Sequence, residues 1–279
     1  MARVLALLGV GVVPADTPVL RADDLGVLRG DGVFETMHVR GGQPWLLDRH
    51  LDRMSRSAAL LAIPLPDRAA LVELAGQACA AWPAADEAAL RLVCTRGPED
   101  GGPVTVYATV APLAPAAVEA RHTGVSVATA TLAVPAEARP GAPWLLGGAK
   151  TLSYAVNMAS LRWAAEQGVN EVLWTSADGY ALEAPTATLV WLAGGVLYTV
   201  PAATTGILAG TTAAYLLEHA GELGMRAAER LVRPAELHSA DGVWLASSVR
   251  GLTEVRTLDG VALGPSPETE RMQKLLGYL

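Results

Sequence analysis

The stretch Leu145-Leu146-Gly147-Gly148-Ala149-Lys150-Thr151-Leu152-Ser153-Tyr154 sets one lysine among apolar and small residues. Its spacing predicts an amphipathic helix over Thr151 to Gln167, with Tyr154, Met158, Leu161 and Ala165 on one stripe. Lysine is scarce, since only Lys150 and Lys274 occur among 21 basic residues, but an arginine-rich composition accounts for that alone. The setting says more. Surface lysines keep charged company, whereas a desolvated lysine has its pKa pushed down and becomes the neutral amine that forms Schiff bases. The other reading of Lys150 is a helix-end cation whose stem lies along apolar surface.

Outward from that segment, the chain alternates hairpins and helices. Val33 to Arg40 is strand-like, Gly41-Gly42 turns it into a short strand around Trp45 to Leu47, and Asp48 is placed to cap a helix. Leu51, Met54, Ala58 and Leu61 recur at helical spacing in it until Pro64 and Pro66, and a second helix follows from about Arg68 to Trp82. Ala89 to Thr95 and Val104 to Ala111 read as a further hairpin. Pro112 to Ala117 has no periodic pattern and suits a linker. Beyond it come strands at Val125 to Val134, Glu171 to Thr175, Thr188 to Leu192 and Val196 to Val200, then a helix from Thr211 to Leu223. Strands near Val243 to Ser247 and Glu254 to Leu258 and a C-terminal helix close the chain. The expectation is an α+β protein in two domains, 1–111 and a larger 124–279 carrying Lys150, joined by a linker over 112–123.

The chain has 279 residues, 51% of them hydrophobic, with a formal charge of −7. That supports a substantial core, excludes disorder, and offers no field to gather polyanions, so no nucleic-acid partner and no membrane surface is expected. The longest apolar candidate for a span, Ala187 to Val200, is interrupted by Gly194 and Gly195. Val4 to Val13 reads as a buried first strand rather than a signal segment, since no small-x-small cleavage site follows. Cys79 and Cys94 have no CxxC spacing, and the five histidines no metal-ligand spacing, so no metal is expected and the chain reads as cytoplasmic.

Three further segments could carry chemistry. Thr205-Gly206-Ile207-Leu208-Ala209-Gly210-Thr211-Thr212 leads into an apolar helix, where free N–H groups and hydroxyls can cradle a phosphate; alternatively Thr211 is an ordinary N-cap. Arg49 and Arg53 stand four apart on one helical face, either aimed at an anion or simply solvated. Glu183 follows the Asp178-Gly179 turn among apolar residues, as a buried carboxylate in need of a partner or as a surface acid at a strand end.

Taken in order, these segments resemble the class IV (fold type IV, D-amino acid aminotransferase-like) pyridoxal-phosphate enzymes. The family includes branched-chain and D-amino acid aminotransferases and 4-amino-4-deoxychorismate lyase. The resemblance runs from Arg29-Gly30-Asp31-Gly32-Val33-Phe34-Glu35-Thr36, similar to the family's GDGxFE signature, through His50 to Met54, Lys150 to Tyr154, Asn170 to Leu173 and Asp178 to Glu183, to Gly206 to Thr212.

The resemblance implies pyridoxal 5′-phosphate as cofactor, held covalently by Lys150. It implies Arg53, Thr211, Thr212 and Ser248 at the cofactor phosphate, Glu183 at the pyridine nitrogen and Tyr154 beside the ring hydroxyl. Thr36, after the Phe-Glu pair, is similar to the lyase pattern, where a strand hydroxyl can donate a proton during pyruvate loss. The implied substrate is a small molecule with carboxylates, for which Arg91, Arg29 and Arg250 are candidate cations. An aminotransferase is the alternative activity, and a cofactor-free binding protein a third. In this family the active site lies between two domains and borrows a loop from a second subunit, which implies a homodimer. Thr188 and Ala213 depart from the asparagine and arginine often found there.

Overall fold

The computed structural model describes residues 3–83 and 85–279. The chain divides into two units: one runs to Ala114 and includes Ala149–Tyr154, the other comprises Pro115–Gly148 and Ala155–Leu279. Among the described residues no helix is long and apolar enough to cross a membrane.

The first unit contains β1 (Val4–Leu7), β2 (Gly11–Val13), α1 (Leu25–Arg29), β3 (Gly32–Arg40), β4 (Gln43–Pro44), α2 (Leu47–Leu60), α3 (Arg68–Ala80), β5 (Ala88–Thr95) and β6 (Thr105–Pro112). Its six-stranded sheet has the order β2-β1-β6-β5-β3-β4. Alternation along the strands sorts the side chains into two faces. Val33, Met37 and Val39 of β3, Leu90 and Leu92 of β5, and Ala108 and Val110 of β6 form one face. They pack with Leu51, Met54 and Ala58 of α2 and with Leu71, Leu74 and Ala78 of α3. The α2 stripe expected from spacing is thus the buried one. The helix begins at Leu47 with Leu46 as N-cap, not after Asp48, and the paired strand is Gln43–Pro44 rather than Trp45 to Leu47.

The expected helix from Thr151 is corrected: α5 starts only at Ala155. Residues 150–152 are extended and lie antiparallel beside the first half of β3, bridged at Val33 and Thr151. The Phe34 N–H donates to the Lys150 carbonyl at 3.2 Å and the Leu152 N–H to the Gly32 carbonyl at 2.8 Å. β4 pairs with β3 only at Val39 and Arg40, so the edge near Gly32 has backbone groups to satisfy, and this segment satisfies them. Lys150 therefore belongs by contact to the first unit, not to a domain spanning 124–279.

The second unit contains α4 (Pro115–Thr123), β7 (Val125–Thr131), α5 (Ala155–Glu166), β8 (Glu171–Thr175), β9 (Thr188–Ala193), β10 (Val196–Thr199), α6 (Ala202–Thr205), α7 (Thr211–Glu218), β11 (Arg226–Glu229), α8 (Pro234–Leu237), β12 (Gly242–Ser247), β13 (Gly251–Leu258), β14 (Val261–Ala262) and α9 (Thr269–Leu275). Its eight-stranded sheet runs β11-β10-β9-β12-β13-β7-β8, with β14 paired to β13. Pairs β13–β7, β7–β8 and β10–β11 are parallel and the others antiparallel. Leu189, Trp191, Val243, Leu245, Val127 and Val255 form its main core. The expected linker over 112–123 is instead the end of β6 and helix α4, whose Arg121 is buried.

The N-cap of α7 is Gly210 rather than Thr211. A Cβ there would lie 2.1 Å from Thr188 Oγ1. The backbone at Gly210 (φ −69°, ψ 122°) suits any residue, so only this close approach demands glycine. Gly210→Ala is expected to lower stability by about 1–3 kcal/mol through overpacking, measured by urea unfolding. Thr188→Ala, which removes the clashing hydroxyl, should restore most of the loss.

Candidate active site

Lys150 and Tyr154 both reach the Phe34 ring. Lys150 Nζ lies 4.3 Å from the Phe34 ring centre and 5.5 Å from that of Tyr154. The two rings meet edge to face at 5.3 Å. No helix joins the two: the chain bends at Leu152, whose carbonyl accepts from the Tyr154 N–H at 2.7 Å, and α5 starts only at Ala155, so Tyr154 is not one helical turn from Lys150. The lysine backbone is anchored independently, its N–H donating to Ser57 Oγ of α2 at 3.0 Å.

Phe34 and Thr36 share the β3 face opposite the α2 and α3 core. Thr36 stands directly across from Arg91 of β5, which in turn faces Thr109 of β6. Arg91 is exposed, with its guanidinium 5.8 Å from the Phe34 ring. The Lys150 amine and the Arg91 guanidinium thus both lie near the Phe34 ring, and Thr36 follows it on the same strand face.

Glu35 points the other way, into the apolar face, and is fully buried. Arg53 of α2 donates through Nε to Oε1 and through Nη2 to Oε2, both at 2.7 Å. His50 Nδ1 lies 2.6 Å from Oε2. A carboxylate only accepts, so this nitrogen carries the proton when Glu35 is ionised. Burial pushes the Glu35 carboxyl up, but the Arg53 charge and the bonds from Arg53 and His50 outweigh it and bring the pKa down to about 2. Burial pushes the His50 pKa down, against the pull of Glu35, and the nearby Arg53 and Lys150 charges add to the lowering. Arg53 is buried, whereas Arg49 is only half-buried.

In the second unit, Glu183 lies on the connection between β8 and β9, where its carbonyl accepts from the Trp174 N–H at 2.9 Å. Its Oε2 accepts from the Leu208 N–H at 3.2 Å, and its Oε1 lies 3.8 Å from Arg139 Nη1. Arg139 also donates to the Gly206 carbonyl at 3.3 Å. Gly206 through Gly210 thus bring backbone N–H groups past this carboxylate and into the N-terminus of α7. Thr211 Oγ1 lies 3.3 Å from Ser248 Oγ. The turn after β12 is fastened by Arg121, which donates to the Val249 and Arg250 carbonyls, and by the Tyr278 hydroxyl, which donates to the Ser248 carbonyl.

Thr212 Oγ1 is buried and has no hydrogen-bond partner among the described residues. A buried hydroxyl left without a partner is costly. At a helix N-terminus with Thr211 and Ser248 beside it, this donor suits a phosphate group. The donor set therefore fits a phosphorylated cofactor.

The remaining candidate cations differ in setting. Arg29 is exposed and pairs with Glu99 at 2.9 Å. Arg250 is held by buried Glu171 and by Thr186 Oγ1 at 3.0 Å. Sequence reasoning missed Glu35, His50 and Arg139 as members of the site. The first two lay inside the quoted motifs without an assigned chemistry, and Arg139 had no local pattern to mark it.

The family model for class IV amino-transferases matches residues 32–258. The chain is 42% identical over 267 residues to the bifunctional aminodeoxychorismate lyase / D-amino acid transaminase of Mycobacterium tuberculosis, covering 93% of this chain and 92% of that protein. A solved structure described as a hypothetical aminotransferase from Mycobacterium tuberculosis, in its PLP-bound form, superposes with a TM-score of 0.95 at 41% identity, over 98% of this chain and 97% of the other. A fold IV-transaminase from Curtobacterium pusillum gives a TM-score of 0.93 at 35% identity, over 99% and 97%.

Proposed function

We propose that this chain, which belongs to the class IV aminotransferase family and works with pyridoxal 5′-phosphate on fold type IV, splits 4-amino-4-deoxychorismate into 4-aminobenzoate and pyruvate. The observation that carries the choice of lyase is Thr36, whose hydroxyl shares a β3 face with Phe34 directly opposite Arg91.

Arg53, Thr211, Thr212 and Ser248 are the residues that would hold the cofactor phosphate. Glu183 would pair with its ring nitrogen and favour a proton there, and the Tyr154 hydroxyl would sit beside its ring oxygen. When bound, the cofactor supplies an electron sink for negative charge at the substrate carbon that bears the amine. Lys150 would hold the cofactor through its Nζ, and the same nitrogen, when free, would take the proton from the ring carbon that bears the substrate amine. The Thr36 hydroxyl donates a proton to the departing three-carbon unit as the ring becomes aromatic. Arg91 binds a substrate carboxylate. The Phe34 and Tyr154 rings limit water around the amine. Arg29 and Arg250, already paired with Glu99 and Glu171, are the weaker candidates for the second carboxylate.

A second reading, transamination of D-amino acids, is supported by the relative whose name joins both activities. One experiment separates them. Purified protein with added cofactor is assayed for 4-aminobenzoate and pyruvate release from aminodeoxychorismate, beside a panel of D- and branched-chain L-amino acids with 2-oxoglutarate. Release of both products is the expected result. Turnover in the amino-acid panel alone would replace the lyase by an aminotransferase. A colourless protein whose absorbance does not change on adding pyridoxal phosphate would support a binding protein instead.

A further inference from the structure

Glu35 is a charged residue of the Gly-Asp-Gly-Val-Phe-Glu signature to which the proposed chemistry assigns nothing. It sits on the core face of β3 between Val33 and Met37, all three fully buried. A carboxylate in such a place is a poor means of stabilisation, because a buried ion pair is commonly matched or bettered by apolar residues of the same volume. Yet this one is satisfied on both oxygens. Oε1 takes Arg53 Nε, and Oε2 takes Arg53 Nη2 and the His50 ring.

A bidentate fork of this kind fixes the plane of a guanidinium. It engages the Nε and Nη2 edge and so fixes the orientation of the whole guanidinium. His50 in turn fixes Oε2. Arg53 is thereby oriented before any anion arrives, which removes an ordering cost from binding.

We propose that Glu35 is a positioning residue for the cofactor phosphate, setting through its fork on Arg53 the plane in which that guanidinium meets the phosphate. The proposal rests on the reading of Arg53 as a phosphate ligand. Glu35→Gln keeps the shape but turns one acceptor into an amide donor facing an arginine N–H, so the fork cannot persist.

The test uses the cofactor-free full-length protein titrated with pyridoxal phosphate and, separately, with pyridoxal, which lacks the phosphate. The ratio of the two dissociation constants, followed by absorbance, isolates the phosphate contribution. Glu35→Gln is expected to reduce this preference about ten-fold while changing pyridoxal binding by less than about two-fold, as for loss of one charge-assisted hydrogen bond. A merely structural role would weaken both ligands together. An unchanged or increased preference in Glu35→Gln, with the preference collapsing in Arg53→Ala, overturns the positioning role and leaves the Arg53 reading standing. A preference unchanged in Arg53→Ala overturns both. If Glu35→Gln does not fold, Glu35→Asp keeps the charge and withdraws it by one methylene. A smaller loss of phosphate preference is then expected, and no loss overturns the proposal.

Discussion

Lys150→Ala is expected to bind cofactor without any borohydride-trappable link and to lose about 10⁴-fold in turnover, the upper end of what one positioned general base contributes. The large effect follows from two duties falling on one nitrogen, which first holds the cofactor and then moves the substrate proton. The variant should nevertheless fold. The backbone of Lys150 is held by the Ser57 hydroxyl and by the Phe34 N–H, and neither bond involves the lysine side chain. Its thermal midpoint without cofactor should therefore match that of the parent, which separates a chemical loss from a folding loss. Reductive trapping followed by mass measurement is the deciding observation. Full trapping in the variant would move the covalent role to another amine, and Lys274 is the remaining lysine side chain.

Glu183→Gln is expected to keep the cofactor, with affinity changed only a few-fold, and to lose about 10²–10³-fold in turnover. An amide carbonyl still accepts the Leu208 N–H, so this contact survives the change. What goes is the negative charge. An ionised carboxylate favours a protonated ring nitrogen, and a neutral amide does not. Arg139, 3.8 Å from the carboxylate, also loses its ionic partner and keeps its bond to the Gly206 carbonyl. The spectrum of the bound cofactor should shift together with the rate. A variant with parental turnover would remove Glu183 from the chemistry.

Much of the fold is legible in local pattern. The α2 stripe of Leu51, Met54 and Ala58 lies in the core as its spacing requires, and the alternation of β3 and β5 divides core from open face. Punctuation by proline was less reliable. Pro112 to Ala117 looked like a linker, but Pro115 stands at the first position of α4, where its fixed φ suits a helix start. Thr211 looked like a cap because its hydroxyl can serve as one, yet the cap position needed a residue that could pass within contact of Thr188.

By itself the sequence determined the hydrophobic faces of the strands, the order of the motifs and the family to which they lead, because periodicity and residue chemistry are local properties of the chain. Tertiary structure alone decided that Lys150 lies on an extended edge of β3 instead of a helix, and that Glu35 turns inward to hold Arg53 and His50. The reason is physical. An unpaired strand edge and a buried carboxylate both seek hydrogen-bond partners, and which distant groups supply them depends on what folding brings alongside.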